Sequence, residues 1–285
     1  ISNLQLAELS RVASPQNPVT GLLNANVNIH GTQKNPIGQG RLALTNAKVS
    51  GETIQSAQAQ FQGTGEVVHA NVNLRMPAGG AQGNVTYYPK TEAYEAALTS
   101  TGFHLDQLQT LKSRNMGING VLNISANGKG TIKNPQLTAT LQIPQLEMQK
   151  QVMRNIALQT TVQNHVADFT LTSDVVNTYI HAKGRIGLTG DYPADATLDT
   201  GGIPLQPLLA TYMPAQASVI TGQTELHATL RGPLKTKEQL EAHLQIPTLN
   251  LDYNNSIQLG AAAPIRADYK NGLLTLQPSE IKGTG

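Results

Sequence analysis

The chain predicts a mainly β fold, an elongated and curved antiparallel repeat sheet with short interspersed helices, and three observations carry that expectation. The first is a threefold repeat. Gly21-Leu22-Leu23-Asn24 leads to Gly31-Thr32-Gln33-Lys34-Asn35-Pro36, Gly120-Val121-Leu122-Asn123 leads to Gly130-Thr131-Ile132-Lys133-Asn134-Pro135, and Gly222-Gln223-Thr224-Glu225 leads to Gly232-Pro233-Leu234-Lys235-Thr236-Lys237. The copies begin at residues 21, 120 and 222, offsets of 99 and 102. A period held that closely points to stacked units sharing one core. Residues 1–285 are therefore expected to form one continuous array, with units at about 1–101, 102–201 and 202–285, cut from a longer protein.

The second observation is alternation. Leu23, Ala25, Val27 and Ile29 interleave with Asn24, Asn26, Asn28 and His30, the two-residue period of a strand with one apolar and one polar face. The same pattern returns in Val68/Ala70/Val72/Leu74/Met76, Leu122/Ile124/Ala126, Leu137/Ala139/Leu141/Ile143, Ala167/Phe169/Leu171, Leu226/Ala228/Leu230 and Leu240/Ala242/Leu244/Ile246, with further alternation at Leu42 and Leu44. Gly, Asn-Pro and Pro-Lys turns between the runs suggest an antiparallel meander. Roughly eighteen such strands at ~4.8 Å would give a sheet on the order of 85 Å long.

Composition is the third. Hydrophobic residues make up 39% and charged ones only 13%, with Asn, Gln and Thr filling the deficit. The formal net charge of +2 and the scattered Lys and Arg residues carry no basic stripe, which argues against nucleic acid. Cysteine is absent, excluding thiolate catalysis, thiolate metal sites and disulfides. No apolar run reaches the ~18 residues of a membrane span.

Between the β runs lie short segments with helical spacing. Leu205, Leu208, Leu209 and Tyr212 stand at i, i+3, i+4 and i+7, and Phe103–Leu111 and Leu4–Leu9 are weaker versions, each ahead of the Gly that starts a copy. The Leu205–Tyr212 stripe lacks a basic cluster on its polar side, so it reads as a packing face rather than a membrane-surface helix. Two strands also carry a parity slip. Leu137 to Ile143 is apolar at odd positions and Leu146 and Met148 at even ones, and Leu240 to Ile246 followed by Leu249 and Leu251 slips the other way, with Pro144 and Pro247 at the changeover. A slip of one residue turns an apolar face outward, so a bulge or bend at each proline is expected to keep that face on one side.

How the apolar face is covered decides function. It can close as a sandwich, pair with another chain, or curl into a trough that meets acyl chains. The inward positions are mostly Leu, Ile, Val and Ala, with 3 Phe and no Trp in the chain, which suits a lined trough better than a tightly filled core.

Catalytic and metal readings find little. The seven histidines, His30, His69, His104, His165, His181, His227 and His243, show no ligand spacing, and five of them (His30, His69, His165, His227 and His243) fall at polar strand positions, as a solvated face requires. Gly63-Thr64-Gly65 is too short for a phosphate cradle and reads as a hairpin turn. Asp106 and Asp191 have no partner carboxylate in their sequence context. Lys34, Lys133 and Lys235 recur at one repeat position, where turn lysines keep a loop soluble and blunt an edge. No catalytic residue, metal site or cofactor is expected.

The run Gly120 to Pro135, preceded by an amphipathic segment and followed by alternating strands, resembles the repeat of the TamB family, an AsmA-like group of bacterial envelope proteins related in architecture to bridge-like lipid transfer proteins. The resemblance extends over essentially all 285 residues, with Gly21–Pro36 and Gly130–Pro135 the best matches, and departs from the pattern where Gly232–Lys237 lacks Asn-Pro. It implies a β groove shaped like a taco in the periplasm of a Gram-negative-type bacterium, anchored in the full-length protein by an inner-membrane helix. The groove would carry phospholipid toward the outer membrane with a TamA-like outer-membrane β-barrel partner. Under that reading the chain is a non-enzymatic lipid conduit. Its lining is expected to be Val27, Ile29, Leu42, Leu44, Val72, Leu74, Leu122, Ile124, Leu137, Leu141, Ile143, Leu146, Phe169, Leu171, Leu226, Leu230, Leu240, Leu244, Ile246, Leu249 and Leu251. Two other readings stay open: a scaffold that templates outer-membrane barrel strands by β-augmentation, and an adhesin or filament module with a dry core.

Overall fold

The structure, a computed structural model, describes residues 1–7, 19–113, 117–148, 151–175, 178–206, 209, 213, 215, 219–254 and 256–284. It is mainly β and antiparallel. Of the strands among the described residues, seventeen belong to one hydrogen-bonded sheet and five to a second. The chain forms two compact units, residues 1–115 with 119–141, and 116–118 with 142–285.

The first unit is a meander of β1 (Leu4–Gln5), β2 (Val19–Thr32), β3 (Asn35–Val49), β4 (Glu52–Thr64), β5 (Val68–Met76), β6 (Gly79–Tyr88), β7 (Ala93–His104) and β8 (Ile118–Thr131), joined as far as Leu141 by β9 (Pro135–Met148). From β1 to β8 each strand pairs antiparallel with the next. The repeat glycines make the hairpin between β2 and β3 and its counterpart between β8 and β9. Gly130 sits at φ +116, and a Cβ there would lie 2.6 Å from the Asn134 carbonyl oxygen, so only glycine lets the two backbones meet. Gly63-Thr64-Gly65 ends β4 in the expected turn, closed by Thr64 N–H donating to Val67 O at 3.0 Å.

In the second unit the first sheet continues through β10 (Gln151–Gln163), β11 (Val166–Val175), β12 (Thr178–Gly187), β13 (Pro193–Thr200), β16 (His227–Pro233), β17 (Glu241–Ile246), β20 (Ile265–Lys270) and β21 (Leu273–Leu276), paired in that order. The second sheet is β14 (Ile203–Pro204), β15 (Ile220–Thr224), β18 (Leu249–Tyr253), β19 (Ile257–Ala261) and β22 (Ile281–Thr284). β13/β14, β15/β16, β17/β18 and β19/β20 are therefore each one run of chain that leaves one sheet and enters the other. The slip at Pro247 is this crossing rather than a bulge within a single strand: β17 ends at Ile246 and β18 begins at Leu249 in the other sheet. Around Pro144 the chain stays in one strand, β9, from Pro135 to Met148.

The first unit handles the same bend with bulges. Register shifts by one residue between Thr20 and Leu22 in β2, where Asn46 on β3 has φ +49, and between Ser100 and Phe103 in β7, where Gly102 has φ +70. Here the repeat asparagines show their use. Asn123 Oδ1 accepts from Gly102 N–H at 2.9 Å, and Asn24 Oδ1 accepts from Asn3 N–H at 2.9 Å. Both members of each pair are 99 residues apart from their counterparts, and Asn3 shares the positive φ of Gly102. The third copy carries Glu225 in place of asparagine, and there the strand divides between the sheets.

Side chains at these bends are small and buried. Ala47, Ala78, Ser100, Ser173, Thr200, Ile203 and Thr224 are nearly inaccessible. Four of them carry a hydroxyl, and each meets backbone that the bend has taken out of the ladder. Ser100 Oγ donates to Gly80 O at 2.8 Å, Ser173 Oγ to Arg154 O at 3.5 Å and Thr224 Oγ1 to Thr248 O at 3.2 Å, while Thr200 Oγ1 accepts from Leu226 N–H at 2.9 Å.

The helical stretches are shorter than the spacing predicts, because their first residues pair as strands. Leu4–Gln5 and Phe103–His104 lie in β1 and β7, and helical turns begin only at Leu6–Ala7 and at Leu105–Gln107 and Gln109–Lys112. After β14, Leu209 N–H donates to Leu205 O at 2.9 Å and Met213 N–H to Leu209 O at 2.7 Å, as a helix requires. Leu208 and Tyr212 lie outside the described residues, as do Glu8 and Leu9. The turn at Gln109 is held by Glu52, whose carboxylate accepts from Gln109 N–H, Thr110 N–H and Thr110 Oγ1 at 3.0, 2.7 and 2.6 Å. Partial burial alone would raise the Glu52 pKa, but these hydrogen bonds outweigh it and hold the carboxyl below its ordinary value.

On the polar face of the second unit, charge alternates from strand to strand. Asp168, Arg185, Asp195, Arg231, Glu241 and Lys270 stand in one row across β11, β12, β13, β16, β17 and β20. Arg185–Asp168, Arg231–Asp195 and Lys270–Glu241 are each 2.8 Å apart. Two histidines join the network: His227 Nδ1 lies 2.9 Å from Asp199 Oδ1, and His243 Nδ1 lies 2.6 Å from Asp268 Oδ1. Hydrogen bonds from Lys270 hold Glu241 below its ordinary pKa, those from His243 and Gln277 do the same for Asp268, and Glu241 raises Lys270 in return.

Two outcomes follow. Thr200→Val keeps the shape at a buried bend but leaves Leu226 N–H without its acceptor, so chemical denaturation is expected to show a loss of about 1–3 kcal/mol, against little change for the exposed Thr221→Val. The charge row sets a pH window. Lowered carboxyl values mean that the contributions of Glu241 and Asp268 are complete above their ordinary 4.5 and 3.8 and are lost as pH falls through the lower folded values. The raised value of Lys270 means that its contribution is complete below 10.5 and is lost above it. Thermal melts of the native chain are expected to fall below pH 4.5, and Arg231→Glu, which sets three acids side by side, is expected to lower the plateau between these limits.

Candidate functional site: an uncovered apolar face

Because side chains alternate across a strand, residues directly opposite one another share a face. In the first unit, register places Ala25, Leu42, Ala59, Val72, Gly83, Leu98 and Ala126 in one row across seven strands. The row beside it is Val27, Gly40, Phe61, Ala70, Val85, Ala96 and Gly128. Leu23, Leu44, Ala57, Leu74 and Ala81 form a third, and Ile29 begins a fourth with Gly38, Gly63, Val68, Tyr87 and Tyr94.

The second unit repeats the arrangement. Leu158, Leu171, Ala182, Leu198, Ala228, Leu244, Ala267 and Leu276 form one row, and Phe169, Gly184, Ala196, Leu230, Ala242, Tyr269 and Leu274 run beside it. Large and small residues alternate along these rows, and where one row has a large residue its neighbour tends to have a small one. The effect is a checkerboard. Both Phe169 and Phe61 lie over a glycine on the next strand: a Cβ on Gly184 would come within 2.8 Å of the Phe169 ring, and one on Gly40 would overlap the Phe61 ring.

Nothing among the described residues covers this face. Val27 is 50% exposed, Ile29 52%, Val72 44% and Leu98 44%, while the buried aliphatic residues among those described are Ala47, Ala78, Ala194 and Ile203. Leu42, Val85, Leu137, Leu274 and Leu276 are exposed as well, and the other lining residues are half-buried. The opposite face is mainly polar, with Ile37, Ala43 and Ala97 set among its polar residues. Asn24, Gln58, Asn73, Gln82 and Thr99 share one row and Asn26, Arg41, Gln60, Asn71, Asn84 and Asn127 another. Two open clefts of about 630 and 510 Å3 lie on this side, the first lined in part by Gln58, Asn73 and Gln82, the second mainly by amides, Asn26, Gln60 and Asn71 among them.

Ten of the expected residues stand in these apolar rows. Leu42, Val72, Leu44, Leu74, Val27 and Ile29 stand as above, with Ile124 opposite Ser100, Leu122 opposite Phe103, and Leu137 beside Gly128. Leu141, Ile143 and Leu146 lie along β9. In the second unit Phe169, Leu171, Leu230 and Leu244 occupy the two rows and Ile246 pairs with Ile265. Leu226 and Leu240 lie outside the strands, at a crossing between sheets and after the turn Lys237–Gln239. Leu249 and Leu251 lie in the second sheet, opposite Thr224 and Gly222. Phe61, Leu98, Leu158 and Leu198 were not among the expected residues, although Ala57-Gln58-Ala59-Gln60-Phe61 carries the alternation that marks such positions.

The other candidates are settled by their contacts. Lys235 Nζ donates to Gly190 O at 2.8 Å and stands 4.7 Å over the Tyr192 ring, so it ties two turns together, while Lys34 and Lys133 are exposed. The histidine–aspartate pairs at His227 and His243 cross between strands and are invisible to sequence spacing. No group of three metal-ligating side chains occurs among the described residues. No helix among them is long and apolar enough to cross a membrane.

The checkerboard makes a specific demand. Gly40→Ala forces the Phe61 ring aside and is expected to lower unfolding stability by about 1–3 kcal/mol, and adding Phe61→Leu to it is expected to restore part of that loss. Equal, additive costs for the two substitutions in urea denaturation would mean that they do not touch.

Comparison with models of known protein families, with characterised proteins and with solved structures finds no match for this chain.

Proposed function

We propose that the chain is a non-enzymatic conduit for lipid acyl chains, and that the uncovered apolar rows are its working surface. What supports this reading is the combination of a wide apolar face with no covering layer and a lining of aliphatic side chains whose bulk is evened out by the checkerboard. A folded soluble chain seldom leaves so extensive an apolar face to water without a partner for it. An acyl chain laid on such a surface gains about 0.8 kcal/mol for each CH₂ withdrawn from water, which lowers the barrier to leaving a bilayer. Evenness then matters as much as greasiness. A surface without isolated deep pockets offers no single place where a chain would lodge.

In the setting that the TamB resemblance implies, the cargo is phospholipid and the site of action the periplasm, with an inner-membrane anchor and a TamA-like barrel at the other end. The chain contributes a surface and no chemistry. Direction and driving force then come from its surroundings.

Photo-crosslinkers placed at Val72, Ile124, Leu141, Phe169 or Leu244 are expected to capture phospholipid, and those at the neighbouring Asn71, Asn123, Gln142, Thr170 or His243 are not. Replacing Ile124 or Leu141 by Asp puts a carboxylate into the apolar lining at a cost of several kcal/mol, and is expected to stop lipid passage in the full-length protein. Circular dichroism and melting separate that result from loss of fold. Equal crosslinking from both faces, or unchanged transfer by folded Asp variants, would remove the conduit reading.

A further inference from the structure

We infer that the polar face of the first unit binds an extended acidic polysaccharide, seated in the trough that the two clefts make across β2 to β7, with Arg41 and Arg75 as anchors for its carboxylates.

The two clefts are consecutive on the same strands. The one of about 510 Å3 is lined by Gln60 and Gln62 on β4 and by His69 and Asn71 on β5, and the one of about 630 Å3 takes up Ser56 and Gln58 on β4 and Asn73 and Arg75 on β5. Gln60 stands opposite Asn71 and Gln58 opposite Asn73, so one cleft ends where the other begins. Beyond them the trough reaches Gln39 and Arg41 on β3 at one side and Thr99 and Thr101 on β7 at the other. It therefore runs diagonally over the strands. Five strand intervals and six residues of strand make it roughly 30 Å long, the footprint of a chain rather than of a compact ligand.

Charge sets the class of that chain. Arg41 has Asn26 and Gln60 opposite it, and Arg75 has Ser56 and Gly80. Along the strand, on the same face, Gln39 and Ala43 flank Arg41 and Asn73 precedes Arg75. None of these neighbours is acidic. Both arginines are exposed, and among the described residues neither guanidinium makes a hydrogen bond or an ion pair. The second unit neutralises its arginines on the corresponding face, since Arg185 and Arg231 each meet an aspartate across the strand at 2.8 Å. In the first unit the planar fork of donors is left for an anion from outside, and a carboxylate meets such a fork at two points.

The amides set the rest of the chemistry. Each Asn or Gln side chain supplies two donors and an acceptor oxygen, the complement of a hydroxyl group, which both gives and takes. They recur from strand to strand at ~4.8 Å. A polypeptide would be selected by pockets for its alternate side chains, whereas the side chains that this face gives the trough are mainly amides and hydroxyls. A nucleic acid, with a phosphate at every step, would need more than two cations over this length. The anchors stand two strands and four residues apart, roughly 17 Å by strand geometry, so neutral sugars lie between the acidic ones that they hold.

The test titrates the whole chain into a fluorescent hyaluronan hexasaccharide, in which glucuronate alternates with neutral N-acetylglucosamine, and follows anisotropy. Saturable binding is expected. Arg41→Gln and Arg75→Gln are each expected to weaken it about tenfold, with the melting temperature preserved because neither side chain holds the fold together. Lys34→Gln removes a charge of the same unit outside the trough and is expected to leave binding unchanged. The chitin hexasaccharide, which keeps the hydroxyls and has no carboxylate, is expected to bind at least tenfold more weakly. No saturation at millimolar hexasaccharide, full affinity in folded arginine variants, or an equal loss from Lys34→Gln overturns the inference. Equal affinity for an acidic peptide or a single-stranded DNA of the same charge overturns it too, since the trough would then take any polyanion. Every substitution and probe here concerns the polar face, so failure leaves the lipid reading standing, and failure of lipid capture leaves this one standing.

Discussion

Where this sheet bends sharply across its strands its hydrogen-bond ladder is interrupted, and the structure depends on how that interruption is satisfied. Backbone groups freed at a bend and shut away from water cost more than most side-chain contacts return. Here the cost is met by small residues placed at the bend itself. Ser100, Ser173, Thr200 and Thr224 each bring a hydroxyl to a freed carbonyl or amide, and Asn24 and Asn123 bring a side-chain oxygen to the amide of a residue with positive φ. Where that asparagine is present the strands stay whole with a bulge. Where Glu225 replaces it, the strands part into two sheets.

The two faces solve separate problems. On the apolar side, shape is the constraint, most sharply where Phe61 and Phe169 occupy the space that a side chain at Gly40 or Gly184 would need. On the polar side, the constraint is register. The first unit uses rows of uncharged amides, which tolerate one another in any order, whereas the second unit uses acids and bases in strict alternation across six strands. Exposed ion pairs add little stability one at a time. Set in a row, they penalise a wrong pairing on both sides at once, which is how weak contacts come to specify an alignment.

Much of the fold was legible because two periods survive in the chain. The two-residue period located strands closely, as with Val68–Met76, and the period near 99 located the hairpins and the helical turns that follow each bend. Helix starts were misplaced by a residue or two, since Leu4–Gln5 and Phe103–His104 are recruited into strands by partners some twenty residues away, which no local spacing records. Pro247 was read as a repair within one strand, yet the chain changes sheets there, and the decision is made by the pairing of β17 with β20 and β18 with β15. For the face itself, alternation marked most lining positions. It could not show the checkerboard, which exists only between strands, nor the histidine–aspartate pairs, which are 28 and 25 residues apart.

Size on the apolar face is a property of pairs rather than of positions. Leu198 is large because Ala182 and Ala228 are small, and Phe169 can be aromatic because Gly184 opposite it has no side chain. Drift in such a surface is therefore correlated: a residue can grow only as its neighbour across the strand shrinks, so the volume of a row is held while its individual members wander. Two chains of this kind could share few identities along a row and still present the same relief to whatever rests on it. What descent would preserve is the texture of the surface, and residue-by-residue likeness would fade long before that texture did.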